Sequence, residues 1–383
     1  MYAACVSLFC ASCLYIAYVY VLYPVFLIAW SALKQKPRLE PPADDQLPTV
    51  HMLIPAYNEE AIIAEKIENS LALDYPKEKL QCTIISDQST DGTDDVAGMY
   101  VDRGIEFIRN EEQKGKIRTL SELGTCSDAD VLLITDANAI FDKTALRTLV
   151  ASFRDSTVGL VNGNRTMRRG KSMTGDGEGA YWEYETRLKE AESNVFSNAF
   201  ITGAMTAIRR ELFIAVPGEL EFDHVLPLHV VQQGYRAVFA SASHFQEDTA
   251  QSAAPEWRVR VRNAIRGFTM VMRMGEFLNT RQHPWFTFHV YSRKVFRWLI
   301  GVPSILMLVA TLGLLDSPVF AFILAAQVLF YAAAVTGYLL ERRGVKLAPL
   351  ALPFYFCLVN AASITGFWQA IRGQRMATWS TGR

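Results

Sequence analysis

Four stretches of the chain carry no charged side chain: 1–33, 299–315, 317–340 and 347–371. Each approaches or exceeds the roughly 17–25 apolar residues with which a helix crosses a bilayer, so the pattern predicts one spanning helix at the N-terminus and three toward the C-terminus. Between them, over residues 50–280, apolar residues come in short bursts separated by polar turns, the texture of an α/β domain. VHMLIP at 50–55, QCTIIS at 81–86, IEFIR at 105–109 and DVLLIT at 130–135 read as strands, while 59–71, 93–104 and 116–125 read as helices. Such alternation predicts right-handed crossovers and a mainly parallel sheet, whose ligands gather beyond the carboxyl ends of the strands.

The flanks have their own character. Residues 34–49 are a proline-rich polar linker, and 284–298 mix aromatics with Arg293, Lys294 and Arg297, a composition for a helix at headgroup depth. No Lys or Arg precedes the first apolar run, and the run exceeds the roughly 7–15 residues of a secretory signal core, so it reads as an anchor. Lys34, Lys36 and Arg38 follow it, which places the N-terminus outside and the large domain in the cytoplasm of a cell inner or plasma membrane. Four full crossings then leave the tail, 372–383, outside, against the inward preference of Arg372, Arg375 and Arg383.

Charge and cysteine content narrow the partners. A formal net charge of -1 with no long run of one sign removes the electrostatic footprint of a nucleic-acid binder. Cys5, Cys10, Cys13 and Cys357 sit in apolar segments, Cys82 and Cys126 are isolated, and no zinc spacing or disulfide framework is present.

Chemistry concentrates at the strand ends. The first strand runs into PAYNEE at 55–60, the second into SDQSTDGT at 86–93 and the fourth into TDANAIF at 135–141. In a parallel sheet these ends line one crevice and offer Tyr57, Glu59, Asp87 and Asp136 to a ligand. So many acids call for cations or hydrogen-bond donors, and a nucleoside diphosphate carried with Mg²⁺ or Mn²⁺ supplies both. Taken singly, Asn58 and Glu59 also suit a helix cap and STDGT a turn; capping alone gives no reason for acids at every strand end.

These motifs resemble those of the family 2 glycosyltransferases of GT-A fold, especially the membrane-bound branch that includes hyaluronan, chitin and poly-N-acetylglucosamine synthases. The likeness extends from about residue 34 to the C-terminus and takes in KGKIRTLSEL at 114–123, YWEYE at 181–185, ITGAMTAIRRELF at 201–213, DHVLPL at 223–228 and QGYRAVF at 233–239. It implies that Pro55, Tyr57, Glu59 and Asp87 hold the uridine of a UDP-sugar, with Lys116 near ribose and phosphates. Asp136 resembles the first acid of the metal-binding Asp-x-Asp motif; its partner here is Asn138, which keeps an oxygen ligand and removes one charge. Gly203 and Ala204 resemble the small-residue floor under the acceptor. Asp223 resembles the general base of inverting transfer, with His224 beside it as a competitor, and Glu247 matches an acidic position after the last strand.

One motif departs from the pattern. Chain-forming members carry Gln-x-x-Arg-Trp after the base, and here Arg262 fits the arginine while Val259 and Asn263 replace the Gln and Trp, with Arg258 and Arg260 as further phosphate partners. The resemblance therefore implies transfer to a glycan or lipid-linked acceptor for cell-envelope or exopolysaccharide synthesis, with few additions favoured over a processive synthase. A nucleotide-sensing transporter lacks support in spans free of charged residues. A silent partner subunit has no need of Asp136 and Asp223.

Overall fold

The computed structural model describes residues 1–34, 39–168, 173–248, 253–273, 275, 282–345 and 347–374. Lys36, Arg38, Arg375 and Arg383, which bear on the expected topology, lie outside the described residues. Helix α1 (Tyr2–Ala17) continues through one π turn (Tyr18–Leu22) into α2 (Tyr23–Ala32). Then come β1 (Val50–Ala56), α3 (Glu60–Leu71), β2 (Leu80–Ser86), α4 (Thr93–Gly98), β3 (Ile105–Arg109), α5 (Lys116–Cys126) and β4 (Val131–Thr135), the alternation expected. Helix α4 stops earlier than its apolar pattern implied: Gly98 weakens it, and the chain tightens into a 3₁₀ turn closed by Gly104 at φ 92.

The second half adds β5 (Ile140–Phe141), α6 (Ala145–Ala151), β6 (Val158–Arg168), α7 (Met173–Val195), β7 (Met205–Arg209), α8 (Phe222–Gln232), β8 (Arg236–Asp248) and α9 (Ala253–Arg273). Eight strands form one sheet in the order β3-β2-β1-β4-β7-β6-β8-β5. Four pairings are parallel and three, those of β7 with β4 and β6 and of β5 with β8, are antiparallel, so the sheet is mixed. Alternate residues of each strand feed two cores: Met52, Ile54, Ile84 and Leu133 on one face, Leu53, Ile85, Leu132 and Ile134 on the other.

The last group is α10 (Pro284–Val290), a π turn (Tyr291–Val295), α11 (Phe296–Trp298), α12 (Gly301–Leu312), α13 (Pro318–Glu341) and α14 (Ala348–Ile371). Among the described residues, Tyr2–Ala32, Pro318–Glu341 and Ala348–Ile371 are long and apolar enough to cross a membrane. The expected continuous span over 299–315 is instead the 12-residue α12, about 18 Å long. Gly301 and Pro303 open it as a new helix, bent by 54° from Pro284–Trp298, and the two pass as one broken span. Both halves run antiparallel beside α1 and α2. Trp285 meets Trp30 at 4.6 Å between ring centroids, Phe296 O accepts from Tyr15 OH at 3.0 Å, and a Cβ on Gly313 would lie 2.6 Å from Cys5 Sγ.

Candidate active site

The ends of β1 and β2 interlock. Asn58 and Gln88 both adopt left-handed backbone, φ 54 and φ 66, which non-glycine residues do at a cost of about 1–3 kcal/mol unless neighbours hold them. Asn58 is held: its N–H donates to Ser89 Oγ at 3.2 Å and its Oδ1 accepts the Thr90 N–H at 2.8 Å. Glu59 N donates to Thr93 Oγ1 at 2.8 Å, and Gly92 N to Glu60 Oε2 at 3.0 Å. Tyr57 and Glu59 thus sit half-buried on a stiff rim, while Pro55 is buried within β1 opposite Ile85.

Asp87, expected at the uridine, holds the loop before α5 in this structure. It is 0% exposed, and its Oδ1 accepts from Lys114 N and Asn110 Nδ2, each at 2.8 Å, while Oδ2 accepts from Gly115 N at 2.8 Å. Its carboxylate therefore ties down the loop before α5, where Gly115 at φ 82 lets the chain turn. The next residue, Lys116, forms an ion pair with Asp136 at the end of β4.

Asp136 and Asn138 are both half-exposed and alternate with buried Ala137 and Ala139, so the turn leaves one carboxylate and one amide outside the core. Lys66, which sequence reasoning missed, lies under this turn. Fully buried, it donates through Nζ to Thr135 Oγ1 at 2.9 Å and Ala139 O at 2.5 Å, and rests 4.0 Å from the centre of the Phe141 ring. Burial pushes its pKa down to about 7, against the attraction of Cys82, Asp136 and Glu247. The available signal was its place with Ile63, Ile67 and Ser70 on the buried face of α3, at core spacing.

On the other side stands Asp223 in the first turn of α8. A Cβ on Gly203 would lie 2.9 Å from Asp223 Oδ1 and 3.7 Å from Lys116 Nζ, so these three residues and Asp136 converge. Ala204, in the turn before β7, is 2% exposed and its methyl packs in the core with Met205 and Ala207. Burial raises the Asp223 pKa to about 6; Asp136 raises it too, while Lys116, Lys189 and Lys294 pull it down. His224 is pushed down to about 3 by burial and by Lys294, and packs edge-on against Phe200 at 5.0 Å and Trp298 at 6.2 Å. A group so weakly basic competes poorly with Asp223 for a proton.

Helix α9 closes the crevice. Arg262 feels Asp136 electrostatically, and burial lowers its pKa against that pull. Arg266 and Arg273 pair with Glu221 and Glu219 in the loop leading to Asp223. Arg260 pairs with Glu256 at 2.6 Å and donates to Tyr355 OH at 2.5 Å, toward α14, and Arg258 is exposed. Glu247 pairs with Arg165 at 2.7 Å. A cavity of about 480 Å³ lined by Thr49, His51, Gln81, Glu106 and Cys126 lies at the amino ends of β1 to β3, the opposite end of the strands, and holds none of the expected site residues.

Residues 52–216 match the family described as Glycosyl transferase family 2. This part of the chain is a family 2 glycosyltransferase domain. The probable glycosyltransferase YdaM of Bacillus subtilis is 27% identical over 241 residues, 57% of this chain and 54% of that protein. A beta-monoglucosyldiacylglycerol synthase of Synechocystis is 23% identical over 68% of this chain and 57% of its own length. The chain spans about half the length of the first of these curated relatives. The solved mannosyltransferase PcManGT from Pyrobaculum calidifontis aligns over 96% of this chain and 99% of its own, with TM-score 0.72 and 21% identity. That likeness establishes the GT-A glycosyltransferase fold, with apolar helices appended at both ends.

Proposed function

We propose that the protein is an integral-membrane, metal-dependent inverting glycosyltransferase that moves a sugar from a nucleoside-diphosphate donor, a UDP-sugar in the first instance, to a glycan or lipid-linked hydroxyl. The observation that carries this reading is the juxtaposition of Asp136 with Lys116 and of Gly203 with both Lys116 and Asp223. Cation-binding and base groups thus face each other across a space floored by a residue with no side chain. The solved mannosyltransferase holds GDP-Man and Mn²⁺, and the relatives include a glycolipid synthase, which support donor, metal and acceptor class.

The donor atoms fit a metal that arrives with its diphosphate. Among the described residues no group of three or more His, Cys, Asp or Glu side chains is placed to cage an ion, whereas Asp136 and Asn138 give two oxygens from one turn. Mg²⁺ and Mn²⁺ accept such sparse protein ligation when phosphate oxygens and water complete the shell. When bound, the ion stabilises the negative charge of the departing diphosphate. Lys116, paired with Asp136, and Arg262, which feels its charge, offer the same diphosphate further positive charge. Asp223, near 6, is ionised at neutral pH and takes the proton of the acceptor hydroxyl as that oxygen attacks from the face opposite the leaving group, which inverts the anomeric centre. With Val259 and Asn263 in place of the chain-formers' Gln and Trp, one or few additions per acceptor is the favoured outcome over a processive synthase.

The topology reading follows from packing. Lys34 after α2 keeps the domain cytoplasmic, and Cys5 beside Gly313 means that the broken pair climbs the whole height of the N-terminal helix. Helix α14 differs, because it runs beside α9: Tyr355 accepts from Arg260, and Gly366 admits Ala264 and the Val261 carbonyl. A helix carrying Glu256, Arg260, Arg262 and Arg266 does not enter hydrocarbon, so α14 lies at the surface and returns the C-terminus, with Arg372, to the cytoplasm.

Detergent-purified protein with Mg²⁺ or Mn²⁺ and a panel of UDP- and GDP-sugars tests the enzyme claim. Wild type should bind and turn over at least one donor, and Asp223→Asn should keep donor binding while losing turnover on the order of 10²–10⁴-fold. A wild-type protein that neither binds nor hydrolyses any donor ends the claim. A reporter fused to the C-terminus and found outside would end the topology reading.

A further inference from the structure

Three buried charges occupy one face of α7: Glu185, Lys189 and Glu192, exposed by 2%, 6% and 0%. Positions i, i+4 and i+7 of a helix share a face, yet these three reach different partners. The outer two are held by the segment that follows the domain. Arg293, itself buried, donates through Nη2 to Glu185 Oε2 at 2.9 Å and through Nη1 to Glu192, and Arg297 adds a bond to Glu185. Glu192 also accepts from Tyr23 OH of α2 at 3.4 Å and from the backbone N–H of Ala199 at 3.4 Å. The ion cluster thus joins the N-terminal helix, α7 and the 284–298 segment at one point beside the start of the 199–204 loop.

The middle charge reaches that loop directly. Lys189 Nζ donates to Thr202 Oγ1 at 2.7 Å and to Asn162 Oδ1 at 3.2 Å. Asn162, fully buried, donates to Thr202 O and Met205 O, each at 2.9 Å, and its Oδ1 accepts the Thr202 N–H at 3.2 Å. The next residue is Gly203, whose Cβ position abuts Asp223 Oδ1. Packing alone gives no reason for an ammonium here, since an apolar side chain of similar volume fills such a site without a desolvation cost. Hydrogen bonding to the loop does give one.

We propose that Lys189 is a positioning residue for the transfer step: through Thr202 it fixes the loop that sets Gly203 against Asp223, and the Glu185–Arg293–Glu192 cluster holds it in register with the membrane helices. The proposal rests on the reading of Asp223 as the base. Because a misplacement of about 1 Å costs roughly 10²-fold in rate, Lys189→Met should lower kcat about 10²-fold while donor Kd and donor KM stay within about twofold. Lys189→Arg, which keeps a donor and a charge, should recover most of the lost kcat. Thr202→Val removes only the hydroxyl at the other end of the contact; it should lower kcat about tenfold and serves if Lys189→Met does not purify folded.

Wild-type kcat in a folded Lys189→Met or Thr202→Val protein overturns the proposal. So does a loss of kcat that donor affinity follows in parallel and that Lys189→Arg fails to rescue. Wild type and Asp223→Asn are assayed alongside. If wild type transfers nothing, or Asp223→Asn transfers as fast as wild type, the functional reading itself is at fault; if only the Lys189 and Thr202 variants behave as wild type, the positioning role alone falls.

Discussion

Gly203→Ala separates the requirements of folding from those of the reaction. The added methyl would sit 2.9 Å from Asp223 Oδ1 and 3.7 Å from Lys116 Nζ. The first distance is about 0.5–1 Å short of ordinary carbon–heavy-atom contact, the second within it. The third atom near it is the Asp223 carboxyl carbon at 3.9 Å, so the closest approach falls on one side chain that can rotate away. The stability cost should stay at or below about 1–1.5 kcal/mol, the low end for overpacking. The rate cost should be far larger, because a base displaced by most of an ångström loses its line to the hydroxyl, roughly 10²-fold. Thermal unfolding in detergent, donor titration and steady-state transfer on the same preparation give the three numbers. A Gly203→Ala enzyme with wild-type kcat would refute the placement of the acceptor between Gly203 and Asp223; a loss of donor affinity equal to the loss of rate would put the residue in the donor site instead.

Other expectations follow from the same contacts. Asp223 must be ionised to accept a proton and its pKa is raised to about 6, so kcat/KM should fall about tenfold per pH unit below that value; a limb near 4, the ordinary carboxylate range, would contradict its environment. Arg293→Met strips Glu192 of its cation and Glu185 of one of its cations, all nearly fully buried, and should cost about 3–5 kcal/mol in stability, read as a large drop in Tm; an unchanged Tm would mean that water reaches the cluster. Gly267→Ala drives a methyl into the rigid Trp298 ring and should cost about 1–3 kcal/mol, with the α9–α11 junction loosening first in hydrogen exchange.

The amino-acid order alone determined the local elements and the acidic strand ends. Apolar bursts flanked by turns marked β1 to β4 because period and length are properties of contiguous residues, and Glu59, Asp87 and Asp136 stood out as acids at strand ends, whereas Asn138, Asp223 and Arg262 came from the family resemblance of the motifs around them. Tertiary structure decided everything that depends on which residues meet. Folding assigned Asp87 to the loop before Lys116, turned Ala204 into the core beside Gly203, aimed Arg260 at α14, and broke the apolar run after 299 at a 54° bend. It also brought Lys66 beneath the Asp136 turn and Lys189 behind Thr202, partners 69 and 13 residues away in the chain. Burial and charge pairing act through space: core spacing can mark the face on which Lys66 lies, but the partners of a buried lysine appear only when the fold supplies its neighbours.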